Sequence, residues 1–189
     1  MVNQRSHSIE VEVQTQWTEP GDPTQAESGE TDAEFNETPF CSDIVPVSSS
    51  TWDAWFQAWI NALDPDYSPI QSYELSLRLT HDADIQALNA QYRNIDAPTD
   101  VLAFAALEGD YPQIDDMKMF PVYLGDLVIS LDTAQRQADE HQHSLRVELA
   151  WLASHGLLHL LGWDHPDEKS LSQMVSQQET LLRIVGLTL

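Results

Sequence analysis

Residues 8–16, Ser-Ile-Glu-Val-Glu-Val-Gln-Thr-Gln, alternate apolar and polar at period two, which predicts a strand with one buried face. A second rhythm follows. Trp52, Trp55, Phe56, Trp59, Ile60 and Leu63 recur at helical spacing after a cap at Ser50 or Thr51, and this aromatic stripe is expected to be core rather than a ligand box. Period two returns over Tyr73–Thr80, with Leu75, Leu77 and Leu79 on one side. The next helix is capped by Thr80 or Asp82, buries Ile85, Leu88 and Tyr92, and ends at Arg93. Pro98 breaks the chain before a short apolar strand, Val101–Leu107, and an acidic loop then runs from Glu108 to Pro121. Leu124–Ser130 is apolar without alternation, as expected of an interior strand covered on both faces. Three helices close the chain, over about 132–141, 144–161 and 166–185, the last ended by Gly186. Strands gathered early and helices late predict an α+β domain of about four strands rather than a regularly alternating α/β fold.

Composition adds two constraints. The chain has 189 residues and is 42% apolar, enough for a single domain over 1–189 with its own core. Its net charge is -23, from 31 acidic residues against 8 lysines and arginines. Much of that excess lies in about 17–50, where Glu19, Asp22, Glu27, Glu30, Asp32, Glu34, Glu37 and Asp43 occur without any lysine or arginine. Such a segment reads as a solvated, flexible surface insertion. The charge excludes a broad basic nucleic-acid surface, so contact with a polyanion has to be local. Cys41 has no partner for an internal disulfide, and no apolar run reaches membrane-spanning length, so a cytoplasmic protein is expected.

The chemistry concentrates in His155-Gly-Leu-Leu-His-Leu-Leu-Gly-Trp-Asp-His165. On a helix, His155 and His159 lie one turn apart on the same face and can aim both imidazoles at one ion. Gly162 tolerates the left-handed backbone that ends a helix, and a short return brings His165 over that face as a third ligand. Three protein ligands leave one position of a tetrahedral zinc open, as in hydrolytic sites, whereas a structural zinc is closed by a fourth side chain. One zinc ion per chain is expected. His7, His81, His141 and His143 show no such register, and the last two are expected in the solvated approach to the metal helix.

The same spacing occurs in the metzincin peptidases, but their glutamate is replaced here by Gly156. Glycine can neither take nor return a proton, which disfavours amide hydrolysis. A phosphodiester has a better leaving group and depends more on charge neutralisation. Arg93 is the candidate for that role, since a guanidinium grips two phosphate oxygens at once; a solvated charge at a helix end is the plainer alternative. Asp126 is ambiguous, and Asp164 either orients an imidazole or shapes the turn.

Four motifs in order, Leu88-Asn-Ala-Gln-Tyr-Arg93, Pro98-Thr-Asp-Val-Leu-Ala-Phe104, Leu124-Gly-Asp-Leu-Val-Ile-Ser130 and the run His155–His165, resemble the YbeY family of bacterial endoribonucleases and rRNA maturation factors. The resemblance covers roughly Tyr73–Leu189. It implies a zincin-like α+β fold, zinc held by His155, His159 and His165, and cleavage of single-stranded RNA in ribosomal RNA maturation and small-subunit quality control. It also implies active-site roles for Arg93 and His155. RNA and the small ribosomal subunit are then the expected partners, with neither DNA nor a membrane. Two departures stand out: Ala103 occupies the place of a serine, and the acidic segment is longer than in the family. The alternatives are a ribosome-assembly factor with a structural zinc and a metal-dependent hydrolase of another substrate class.

Overall fold

The computed structural model describes residues 9–18, 47–108 and 119–189. Apart from their ends, the acidic segment at about 17–50 and the loop expected over Glu108–Pro121 lie outside the described residues. The elements run β1 (Glu10–Trp17), α1 (Ser49–Leu63), β2 (Ser72–Thr80), α2 (Asp82–Arg93), β3 (Val101–Ala105), β4 (Val122–Ser130), α3 (Leu131–His141), α4 (Leu145–Leu160) and α5 (Glu168–Ile184). A single 3-10 turn, Ala106–Glu108, follows β3, so that strand is shorter than its apolar run suggests. The architecture is α+β with a four-stranded mixed sheet, as expected.

Strand order is β1-β2-β4-β3. β1 and β4 both run parallel to β2, while β3 is antiparallel to β4. One face of this sheet carries Tyr73, Leu75, Leu77 and Leu79 of β2 with Leu127 and Ile129 of β4, all at most 1% exposed. α1, α4 and α5 close over it, and the aromatic stripe of α1 is core: Trp52, Phe56 and Trp59 are fully buried and Trp55 is 4% exposed. Trp59 Nε1 donates to the carbonyl of Leu181 at 2.9 Å, so even its polar atom is used to hold α1 against α5. β1 is an edge strand among the described residues, and α1 holds its outer margin as well. Gln57 accepts from the Val11 backbone N–H at 3.1 Å and donates to the Ile9 carbonyl at 2.7 Å. These two bonds satisfy strand groups that have no sheet partner.

Among the described residues, the other face is covered only in part. α2 packs Ile85 and Leu88 on Leu102, Phe104 and Val128 of β3 and β4. Tyr92, expected in that buried stripe, is 59% exposed and meets the edge of Phe104 at a centroid distance of 5.1 Å. β4 is interior to the sheet, yet Asp126 is exposed, so the strand is not covered on both sides as its composition suggests. The reason is that α2 reaches no further than β4, leaving Gln14, Ser76 and Asp126 on an open polar face. The cap of α2 also differs from expectation. His81 is its N-cap without a side-chain cap bond, while Asp82 accepts from Ser130, Thr133 and Arg136 and so ties α2 to α3. No helix among the described residues is long and apolar enough to cross a membrane.

Candidate metal centre

α4 begins at a Ser144 cap and is buried on nearly every side, with Leu149, Leu152, Leu157, Leu158 and Leu160 in the core. A helix so enclosed keeps its side chains fixed, and that rigidity is what a ligand set needs. His155 and His159 occupy the one stripe of its last turns that is only half-buried. The helix then ends as Gly162 permits. Gly162 sits at φ 78°, its N–H donates to the His159 carbonyl at 2.9 Å, and the Trp163 N–H donates to Leu158 at 3.0 Å. This is the Schellman closure, which reverses the chain and carries His165 back over the ligand face. Asp164 accepts from the His165 backbone N–H at 2.8 Å, so it shapes the turn. Asp167 then caps α5 with a reciprocal capping box on Ser170.

The three imidazoles converge. Ring centroids lie 4.7 Å apart for His155 and His159, 5.5 Å for His155 and His165, and 5.3 Å for His159 and His165. One donor atom from each falls within 4.8 Å of the others. At metal–nitrogen bonds of about 2.0–2.1 Å the edge of a tetrahedral zinc site spans roughly 3.3 Å, and the Nε2 atoms of His155 and His159 are 3.1 Å apart. Donor type and spacing therefore fit a borderline divalent ion such as zinc.

Protonation is set for the same purpose. His155 Nδ1 donates to Gln178 Oε1 at 3.1 Å, and Gln178 Nε2 in turn donates to the Trp151 carbonyl at 3.3 Å. Since the Trp151 carbonyl can only accept, the amide orientation is fixed, the proton stays on Nδ1, and the His155 Nε2 lone pair faces the other histidines. Burial lowers the pKa of His155, with His165 adding repulsion while Gln178 and Asp100 oppose it. Burial also lowers that of His159, followed by the charges of His155 and His165. Both effects favour the neutral imidazole, the form that binds metal.

Gly156 explains the missing peptidase glutamate. A Cβ built there would stand 2.6 Å from Leu127 Cδ2 and 3.4 Å from Val101 Cγ2, so position 156 faces the sheet in close contact and has no room for a carboxylate. Arg93 is the last residue of α2 and is exposed, and among the described residues it has no hydrogen bond or ion pair with the histidines. Asp126 is on the open sheet face, accepting from Tyr123 at 2.7 Å. Two residues of the centre escape a reading by register. Gln178 is buried at 1% exposure, and its signal is a lone amide within the apolar stripe Met174, Leu181 and Leu182 of α5. Asp100 accepts from Val101 N, Thr99 Oγ1 and Gln137 Nε2, which holds its charge where His155 feels it. Its signal is the motif around Pro98.

Comparison with known proteins gives this chain named relatives. A protein of Trichormus variabilis named Endoribonuclease YbeY is 61% identical over 141 residues, 75% of this chain and 80% of its own. One of the same name from Nostoc is 59% identical over 143 residues, 76% of this chain and 78% of its own. The solution structure of TM1509 from Thermotoga maritima matches with a TM-score of 0.47 and 24% identity, covering 70% of this chain and 77% of that one. The family model described as Endoribonuclease YbeY matches residues 41–186, and with the Trichormus and Nostoc proteins it places the chain in the YbeY family.

Proposed function

We propose that the protein is a zinc-dependent, single-strand-specific endoribonuclease that acts in the cytoplasm on ribosomal RNA precursors and in small-subunit quality control. The observation that carries the reading is the convergence of His155, His159 and His165 at the end of α4, supported by relatives that bear the name endoribonuclease. These three residues would hold the ion. When bound there, it supplies Lewis-acid charge neutralisation for a phosphodiester. His155 is positioned by Gln178, which keeps its Nε2 free of a proton. Arg93, exposed at the end of α2, contributes a guanidinium that grips two phosphate oxygens and offsets the charge that grows on them. Gly156 gives no proton acceptor beside His155, which turns the site away from amides.

Because the chain is acidic, RNA capture rests on about one or two phosphate contacts, giving a shallow dependence of log affinity on log salt near -0.7 per contact. The test is RNA cleavage by wild-type, His155→Ala and Arg93→Ala proteins prepared side by side, with the metal content of each determined. Loss of cleavage in both, with metal lost only in His155→Ala, is the expected result. Proteolysis of casein abolished by His159→Ala would move the site to another substrate class. Unchanged RNA processing in Arg93→Ala would leave an assembly factor whose metal braces the fold.

A further inference from the structure

α4 has donor groups at its other end too. His141 is the last residue of α3, Gln142 takes the left-handed conformation at φ 60°, and His143 follows, so both rings are returned to the same side with centroids 5.5 Å apart. They meet Glu148 in the first turn of α4, where the carboxylate is 1% exposed. His143 Nε2 hydrogen-bonds Glu148 Oε2, and His141 Nδ1 lies 3.6 Å from the same oxygen. One donor atom from each of these residues falls within 4.8 Å of the other two.

Arg146, two residues before Glu148, has no ion pair with its carboxylate among the described residues. The guanidinium carbon of Arg146 sits 4.8 Å over the ring of Trp55. Among the described residues, the recorded partners of Glu148 are the two histidines alone. A carboxylate at this depth is costly unless a cation faces it, whether an imidazolium or a metal ion held with the two histidines. Two imidazole nitrogens and one carboxylate oxygen are the ligands of a borderline divalent ion, zinc or nickel rather than magnesium or calcium, which prefer oxygen alone. The 3.6 Å separation approaches the roughly 3.3 Å edge of a tetrahedral site. His143 and Glu148 have only to part slightly, releasing their shared proton to solvent. His141, 60% exposed, leaves the fourth position open to water.

We infer that His141, His143 and Glu148 form a second divalent-metal site that clamps the α3–α4 corner, about 10 to 17 Å along α4 from His155 and His159. It is independent of the nuclease reading. Its test is the metal content of untagged full-length protein, stripped and then dialysed against zinc. Wild type is expected to bind two equivalents, His141→Asn one, the His155→Ala/His159→Ala protein one, and the combination none. In the double mutant, zinc should raise the melting temperature, and adding His141→Asn should remove that rise. His141 is exposed, so its replacement leaves the fold intact even if Glu148→Gln does not. A wild-type count of one that is lost in the double mutant and kept in His141→Asn overturns the second site and spares the first. A count of one with the reverse pattern overturns the first and keeps the second. Two equivalents retained in His141→Asn also refute the clamp.

Discussion

The two ends of α4 present histidines in opposite settings. At the C-terminal end three half-buried imidazoles face one another with no carboxylate among them, and burial disfavours protonation of His155 and His159. At the N-terminal end a fully buried carboxylate is the centre and the imidazoles answer it. A cation at the first end meets neutral ligands that leave its charge available to a substrate, whereas at the second the carboxylate cancels part of that charge. Both ends offer three donors and an open position, so donor number does not tell them apart; what differs is the charge that the donors leave on an ion held there.

Four measurements break or sharpen this contrast. His159→Ala removes a proposed ligand from the C-terminal end and should lower RNA cleavage and zinc affinity by more than about 100-fold, because even supporting partners cost 10–100-fold. Equal loss from His141→Asn would erase the distinction between the ends. Gln178→Leu leaves the ligands in place but frees the His155 ring, so zinc affinity should fall by roughly 10- to 100-fold while the fold persists; competition with a chromophoric chelator reads this. Between the ends, Gly156→Ala forces buried Leu127 aside at about 1–3 kcal/mol, offset by about 1 kcal/mol of helix propensity, so the net fall in melting temperature should be no more than about 2–4 °C for each of the remaining kcal/mol. Metal content should be unchanged in that variant.

The smallest effect belongs to Asp82, which lies at neither end. Although burial raises its pKa, hydrogen bonds from Ser130, Thr133 and Arg136 lower it below the usual 3.8. The unfolded chain therefore takes up this proton first as pH falls. The stabilisation is complete above 3.8 and is lost as pH drops from there through the lower folded value. Asp82→Asn should remove that part of the pH dependence, seen by denaturant titration across the window, and leave both ends of α4 unaffected.

What the sequence revealed was local. The register of His155 and His159, the left-handed Gly162 and the aromatic stripe of α1 each depend on spacing within one element, and each appears where the pattern places it. Tyr92 failed because helical spacing says which side chains share a face but not how far the opposing sheet extends. Gln178 was invisible because its partner, His155, is on another helix and only the docking of α5 on α4 joins them. His143 and Glu148 were missed for a similar reason: a left-handed Gln142 had to turn the chain before they could meet. Gly156 was legible as a missing acid, yet its cause, the nearness of Leu127, is a property of packing.

Gln57 has a bearing on how molecules of this protein meet one another. A foreign strand seeking to lengthen the sheet at β1 would find the Ile9 carbonyl and the Val11 amide already engaged by that side chain, and would have to evict it before zipping on. One glutamine thus hinders edge-to-edge polymerisation at that end of β1.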